Sequence, residues 1–131
     1  MHTLLTIFMF FALIQPPFES VLDISDDVAA AVKTGNASNV SKFFSANVDL
    51  KIFDKEDVYS KAQAELILKD FFAKNPIKSF TVLHKPTAKN GDQSVIGTYE
   101  SSSGKKFRIY FLLKKDTGSF LVQQLRIDSD E

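Results

Sequence analysis

The apolar residues change their spacing at Pro76, and that change decides what the chain can fold into. Before it, Ala64, Ile67, Leu68, Phe71 and Phe72 recur at steps of three and four, the period of one helix face. After it, Phe107, Ile109, Phe111 and Leu113 recur at steps of two, the period of a strand with one side in a core. A chain patterned this way is α+β, with helices in its first part packed on an antiparallel sheet built from its second.

The helix before Pro76 has a legible start and stop. Ser60 and Gln63 form an S-x-x-Q capping box, which satisfies two of the orphan backbone N–H groups. Pro76 disfavours helical backbone at Asn75. Beyond it, strands are expected over 79–85, 93–100, 106–114 and 119–128. Asn90-Gly91, the Ser-Ser-Ser-Gly run at 101–104 and Asp116-Thr117-Gly118 supply the turns. Strands joined so briefly are antiparallel neighbours.

Two shorter helices and one more strand are expected earlier. Ser25 is placed to cap a helix with Asp26 and Asp27 in its first turn, where the helix dipole favours acids. Val28, Ala31 and Val32 form its apolar stripe, and Gly35 its left-handed stop. A second, short helix is expected through Val40, Phe43 and Phe44. Residues 48–53 alternate as a half-buried strand, and 54–57 read as a charged turn.

Residues 4–14 are eleven in number with only Thr6 polar, and every acidic and basic residue follows Phe18. That run is shorter than the roughly 20 residues a membrane span needs, and it matches the apolar core of an export signal. Residues 1–20 are therefore expected to be a signal peptide and 21–131 a single domain, exported to the periplasm or beyond. No stable membrane span is expected after signal removal. The competing readings of the segment are an uncleaved anchor and a buried N-terminal helix.

Composition narrows the function classes. Sixteen basic residues balance sixteen acidic ones, so no net field draws the chain to nucleic acid. The chain has no cysteine, which removes disulfides, thiolate nucleophiles and cysteine-bound metals. It has thirteen phenylalanines and no tryptophan, so phenylalanine carries the large apolar surface. His84 is the one histidine past residue 20 and no acidic calcium loop is present, so neither a metal nor another cofactor is expected.

Helix, short helix, strand, long helix and meander is the element order of the nuclear-transport-factor-2-like, or cystatin-like, superfamily, and 21–128 resembles it. Tyr59-Ser60-Lys61-Ala62-Gln63-Ala64-Glu65 continuing through Leu68-Lys69-Asp70-Phe71-Phe72 resembles an exported bacterial family, domain of unknown function 4783. Gly35-Asn36-Ala37, the strand at 48–52 and Gln124-Leu125-Arg126-Ile127 are similar to it too. The resemblance implies an α+β cone, N-terminal helices packed in the concavity of a strongly curved antiparallel sheet, and export. It supplies no catalytic residues, since that family has no assigned activity.

Three candidate sites remain. His84 is spaced to share a strand face with Phe80 and Val82, where a histidine facing the helix–sheet cavity would do proton transfer. Tyr59 and Tyr99, with Tyr110, are the other groups able to hold a developing oxyanion in an isomerase- or dehydratase-like site. The third is the final hairpin, which is apolar on both faces. Leu121, Gln123, Leu125 and Ile127 alternate with Phe120, Val122, Gln124 and Arg126. Tyr110, Leu112, Phe120 and Val122, rimmed by Arg108 and Arg126, then form a patch suited to a homodimer or partner. Two glycosylation-type tripeptides begin at Asn36 and Asn39. The functional readings open at this point are a non-enzymatic binding or interaction module, acting through the sheet face or through a cavity for a small apolar ligand; a small cavity enzyme; and a structural adaptor of an envelope assembly.

Overall fold

The structure, a computed structural model, describes residues 24–130. The expected signal at 1–20 lies outside the described residues. Nine elements follow in order: α1 (Ile24–Lys33), α2 (Ala37–Ser41), β1 (Phe44–Ile52), β2 (Lys55–Ser60), α3 (Lys61–Lys74), β3 (Ile77–His84), β4 (Gln93–Ser101), β5 (Lys106–Asp116) and β6 (Ser119–Ser129).

The six strands form one sheet in the order β2-β1-β6-β5-β4-β3. β3 to β6 are the antiparallel meander that the spacing predicts. β1 closes against β6 in parallel, and β2 folds back antiparallel on β1. Register shifts interrupt β1, β3 and the β5–β6 pair, and such bulges bend and twist a sheet. α1 lies against β3 and β4, and α3 against β1 and β2. One sheet face is thus the core, where Val95, Tyr99, Phe107, Ile109, Phe111, Leu113, Leu125 and Ile127 are buried against Val28, Val32, Leu68, Phe71 and Phe72.

α3 begins and ends where its signals place it. Both bonds of the capping box form, from Gln63 N–H to Ser60 Oγ and from Ser60 N–H to Gln63 Oε1. At its end the Asn75 backbone and side-chain N–H groups both donate to the Phe71 carbonyl. Gly35 stops α1 with φ +63°, and a Cβ there would lie 2.8 Å from Ile77 Cγ2. Gly97 is needed for another reason: the Phe80 ring packs over it, 2.6 Å from where a Cβ would sit.

Several expectations need correction. Residues 54–57 are not a loose turn, because Lys55 begins β2. A charged, solvent-facing edge strand has no apolar alternation to betray it, and only its backbone pairing with β1 reveals it. Phe44 belongs to β1, pairing with Val122, and α2 stops at Ser41. Ser25 is buried inside α1 instead of capping it.

The two-residue alternation also fails at two bulges. In β6, Leu112 pairs with Gln124 while Leu113 pairs with Val122, leaving Gln123 as the extra residue. Val122 is therefore turned into the core, where it is fully buried, and Phe120 packs on the core side as well. Leu121, opposite Lys114, takes the outer face. In β3, Val82 pairs with Gly97 but His84 pairs with Ile96, so Leu83 is the extra residue. Directly opposed residues share a face, so His84 sits on the outer face with Ile96, exposed, and not beside Phe80.

Candidate functional site: a cleft between the long helix and the first hairpin

The β1–β2 hairpin and the last two turns of α3 do not close on each other. A cleft of about 520 Å³ lies between them, lined by Leu50, Ile52, Phe53, Tyr59, Ile67 and Phe71, with Asp54, Lys55, Asp70, Lys74 and Asn75 also contributing. The volume and the mainly apolar lining fall in the range of small-molecule sites.

Phe53 stands at the hairpin tip with φ +55°, in the left-handed region that bulky side chains avoid. Its N–H donates to the Ile127 carbonyl at 2.9 Å, and its ring meets Phe107 at a centroid distance of 5.9 Å. Those contacts hold a phenylalanine that remains 41% exposed at the cleft's lip. Backbone strain of this kind collects where a ligand or a switch is handled.

Tyr59 pairs with Val48 across the hairpin, so it faces the helix side and packs on the core edge. Among the described residues, no protein group hydrogen-bonds its hydroxyl. The charged lining is two-signed. Lys74 pairs with Asp70 at 3.0 Å, and Asp54 and Lys55 are adjacent at the hairpin tip.

The sequence-predicted site residues are not brought together. Tyr99 is fully buried, tilted against Phe71, stacked on Phe72 and edge-on to Phe107, and its hydroxyl donates to the Asn75 carbonyl. Burial pushes its phenol up to about 12, so at ordinary pH it is a neutral structural donor. His84 lies on the opposite sheet face from Tyr59 and Tyr99. Of the three, only Tyr59 reaches the cleft. The sequence reading missed Phe53, Ile52 and Ile67 as a site. The available signal was an aromatic residue ending the alternation of β1 directly before a charged tip.

The outer sheet face carries the patch in altered form. The ladder His84, Ile96, Tyr110, Arg126, Lys51, Glu56 crosses the whole sheet through directly paired residues. Tyr110 keeps its expected neighbours Arg108, Leu112 and Arg126, and Ile96 and Leu121 replace Phe120 and Val122. Arg108 donates to both oxygens of Asp130 at 3.0 and 3.2 Å, Lys51 pairs with Asp128 at 3.2 Å and Arg126 with Glu56 at 3.6 Å. Among the described residues no three potential ligands gather as a metal site requires, and no helix is long and apolar enough to cross a membrane. Asn36 caps α2, accepting from the Asn39 N–H.

Helices on one face of a bulged, mostly antiparallel sheet make this a nuclear-transport-factor-2-like fold. A protein of that class and of unknown function from Shewanella baltica OS155 superposes with a TM-score of 0.63 at 14% identity, over 87% of this chain and 94% of that one. Within the class the chain belongs to the DUF4783 family, a domain of unknown function, whose model matches residues 25–128. The family's crystal structure from Bacteroides ovatus ATCC 8483 matches at 30% identity and TM-score 0.75, over 80% of this chain and 94% of that one. That from Bacteroides uniformis ATCC 8492 matches at 28% identity and TM-score 0.77, over 83% and 99%. No curated protein matches the chain.

Proposed function

We propose that the chain is an exported, non-enzymatic binding module that holds a small apolar ligand in the cleft between α3 and the β1–β2 hairpin. Export rests on the apolar run at 4–14. The observation that carries the binding reading is Phe53, a strained aromatic kept partly exposed at the lip of a largely apolar cleft. An apolar ligand covers Phe53, Ile67 and Tyr59, and burial of each large apolar side chain contributes roughly 1.5–3 kcal/mol at most. Binding is favoured over catalysis because His84 and the inner tyrosines lie on opposite sides of the sheet. A general base must come within about 3 Å of the proton it takes.

The test uses the neutral fluorophore N-phenyl-1-naphthylamine. Saturable fluorescence enhancement is expected, and Ile67→Glu, which places a charge in the lining from a half-buried position, should weaken it at least tenfold at a temperature where circular dichroism shows the variant folded. Enhancement that is absent, or indifferent to Ile67→Glu, contradicts the proposal.

A second reading concerns the outer face, which would pair with a second copy of the chain. Ile96, Tyr110, Leu112 and Leu121 lie between cations (Lys51, Arg108, Arg126) and anions (Asp49, Asp128, Asp130, Glu56) in near balance. A face carrying both signs around an apolar centre complements itself under a two-fold axis. Light scattering on the eluting protein should give a dimer mass that Tyr110→Glu converts to a monomer. A wild-type monomer at high concentration rules this face out as a dimer surface.

A further inference from the structure

We infer that the cleft selects an uncharged molecule, an apolar body led by a carbonyl or hydroxyl oxygen, and that the Tyr59 hydroxyl is the group that recognises it. The inference rests on the cleft being the binding site and adds the chemistry of its occupant.

The cleft has two different ends. At the hairpin tip Ile52 pairs with Lys55, and four residues further along β2 Tyr59 pairs with Val48. At ~3.3 Å per residue the two positions are about 13 Å apart. Phe53, Asp54 and Lys55 form the tip end. Asp70 and Lys74 belong to the last two turns of α3, so they accompany Asn75 away from the helix start that Tyr59 adjoins. Between the ends the lining is Leu50, Ile52, Ile67 and Phe71.

A charged head finds no favourable place in this arrangement. At the tip end each charge already has an opposite neighbour, Lys74 with Asp70 and Lys55 with Asp54, so a carboxylate or an ammonium placed there meets repulsion as well as attraction. At the helix C-terminus two of the carbonyls are already engaged. The Phe71 carbonyl already accepts from Asn75, and the Asn75 carbonyl from Tyr99. At the Tyr59 end an ion would lose water with no charged side chain of the lining to pair with, since Asp54, Lys55, Asp70 and Lys74 lie at the other end.

A neutral oxygen fares differently there. The Tyr59 hydroxyl has no hydrogen-bonding partner among the described residues and can both donate and accept. A ketone, ester or alcohol oxygen completes it while its alkyl body lies along Leu50, Ile67 and Phe71.

Four nine-carbon probes separate the possibilities by displacement of N-phenyl-1-naphthylamine: 2-nonanone, 1-nonene, nonanoate and nonylamine. 2-Nonanone should displace at a concentration at least tenfold below either ion. Tyr59→Phe, which keeps the ring and removes the oxygen, should weaken 2-nonanone about three- to tenfold, the net worth of one hydrogen bond. It should leave 1-nonene within about twofold, which a merely structural role for Tyr59 would not do. Nonanoate or nonylamine binding as well as 2-nonanone overturns the inference while leaving the cleft as a site. So does a Tyr59→Phe effect that is equal for ketone and alkene. Failure of all four to displace the fluorophore overturns the cleft reading itself.

Discussion

Tyr99 shows how one side chain can look catalytic in sequence and be structural in the fold. Its ring fills the space between Phe71, Phe72 and Phe107 while its hydroxyl satisfies the carbonyl that ends α3. Because the folded protein holds the phenol up to about 12 against an unfolded value of 10.0, the folded state binds that proton more tightly. The stability this contributes is fully present below pH 10 and is lost as pH rises toward 12. Denaturant titration across that window should show wild type losing stability and Tyr99→Phe losing less. At neutral pH Tyr99→Phe should be less stable by about 1 kcal/mol, the consequence of losing the hydrogen bond to a half-buried carbonyl. An identical alkaline slope in both proteins would contradict this account of Tyr99. In sequence, nothing separates Tyr99 from Tyr59. The difference is made by which strand each occupies and what packs over it.

At the scale of elements, legibility followed the strength of local signals. α3 was readable to within a residue because its capping box, apolar period and terminating Pro76 agree. Ser60→Ala removes the N-cap and should lower stability by about 1 kcal/mol, seen as a shifted denaturant midpoint at unchanged slope. An unchanged midpoint would mean that packing alone sets the helix start. β3 to β6 were readable from alternation and turn residues, and their bounds moved only slightly. β2 was not readable, since a strand held by backbone bonds at a charged edge leaves no side-chain pattern. The bulges at Leu83 and Gln123 were equally silent, and each reversed the facing of residues that mattered. A one-residue slip turns every following side chain to the other face. His84 thereby left the cavity side, and Val122 entered the core.

At the scale of the molecule, the helices and the sheet's inner face were anticipated, and the parallel return of β1 beside β6 was not. That pairing joins residues 75 to 78 positions apart in the chain, such as Gln124 with Asp49 at 3.2 Å, and no local pattern encodes it. It also creates the cleft, because it carries the β1–β2 hairpin out to the sheet edge, where only the end of α3 faces it. Of the apolar outer face expected for the last two strands, Tyr110, Leu112 and Leu121 remain, joined by Ile96 of β4, while Phe120 and Val122 turn inward.

The central claim is that the cleft, and not the outer face, receives the ligand. Methyl-resolved NMR during a titration with 2-nonanone tests it most directly. Saturable shifts are predicted for the methyls of Leu50, Ile52 and Ile67, with Ile96, Leu112 and Leu121 unmoved. Shifts confined to the outer-face methyls, or none at either place, would contradict the account.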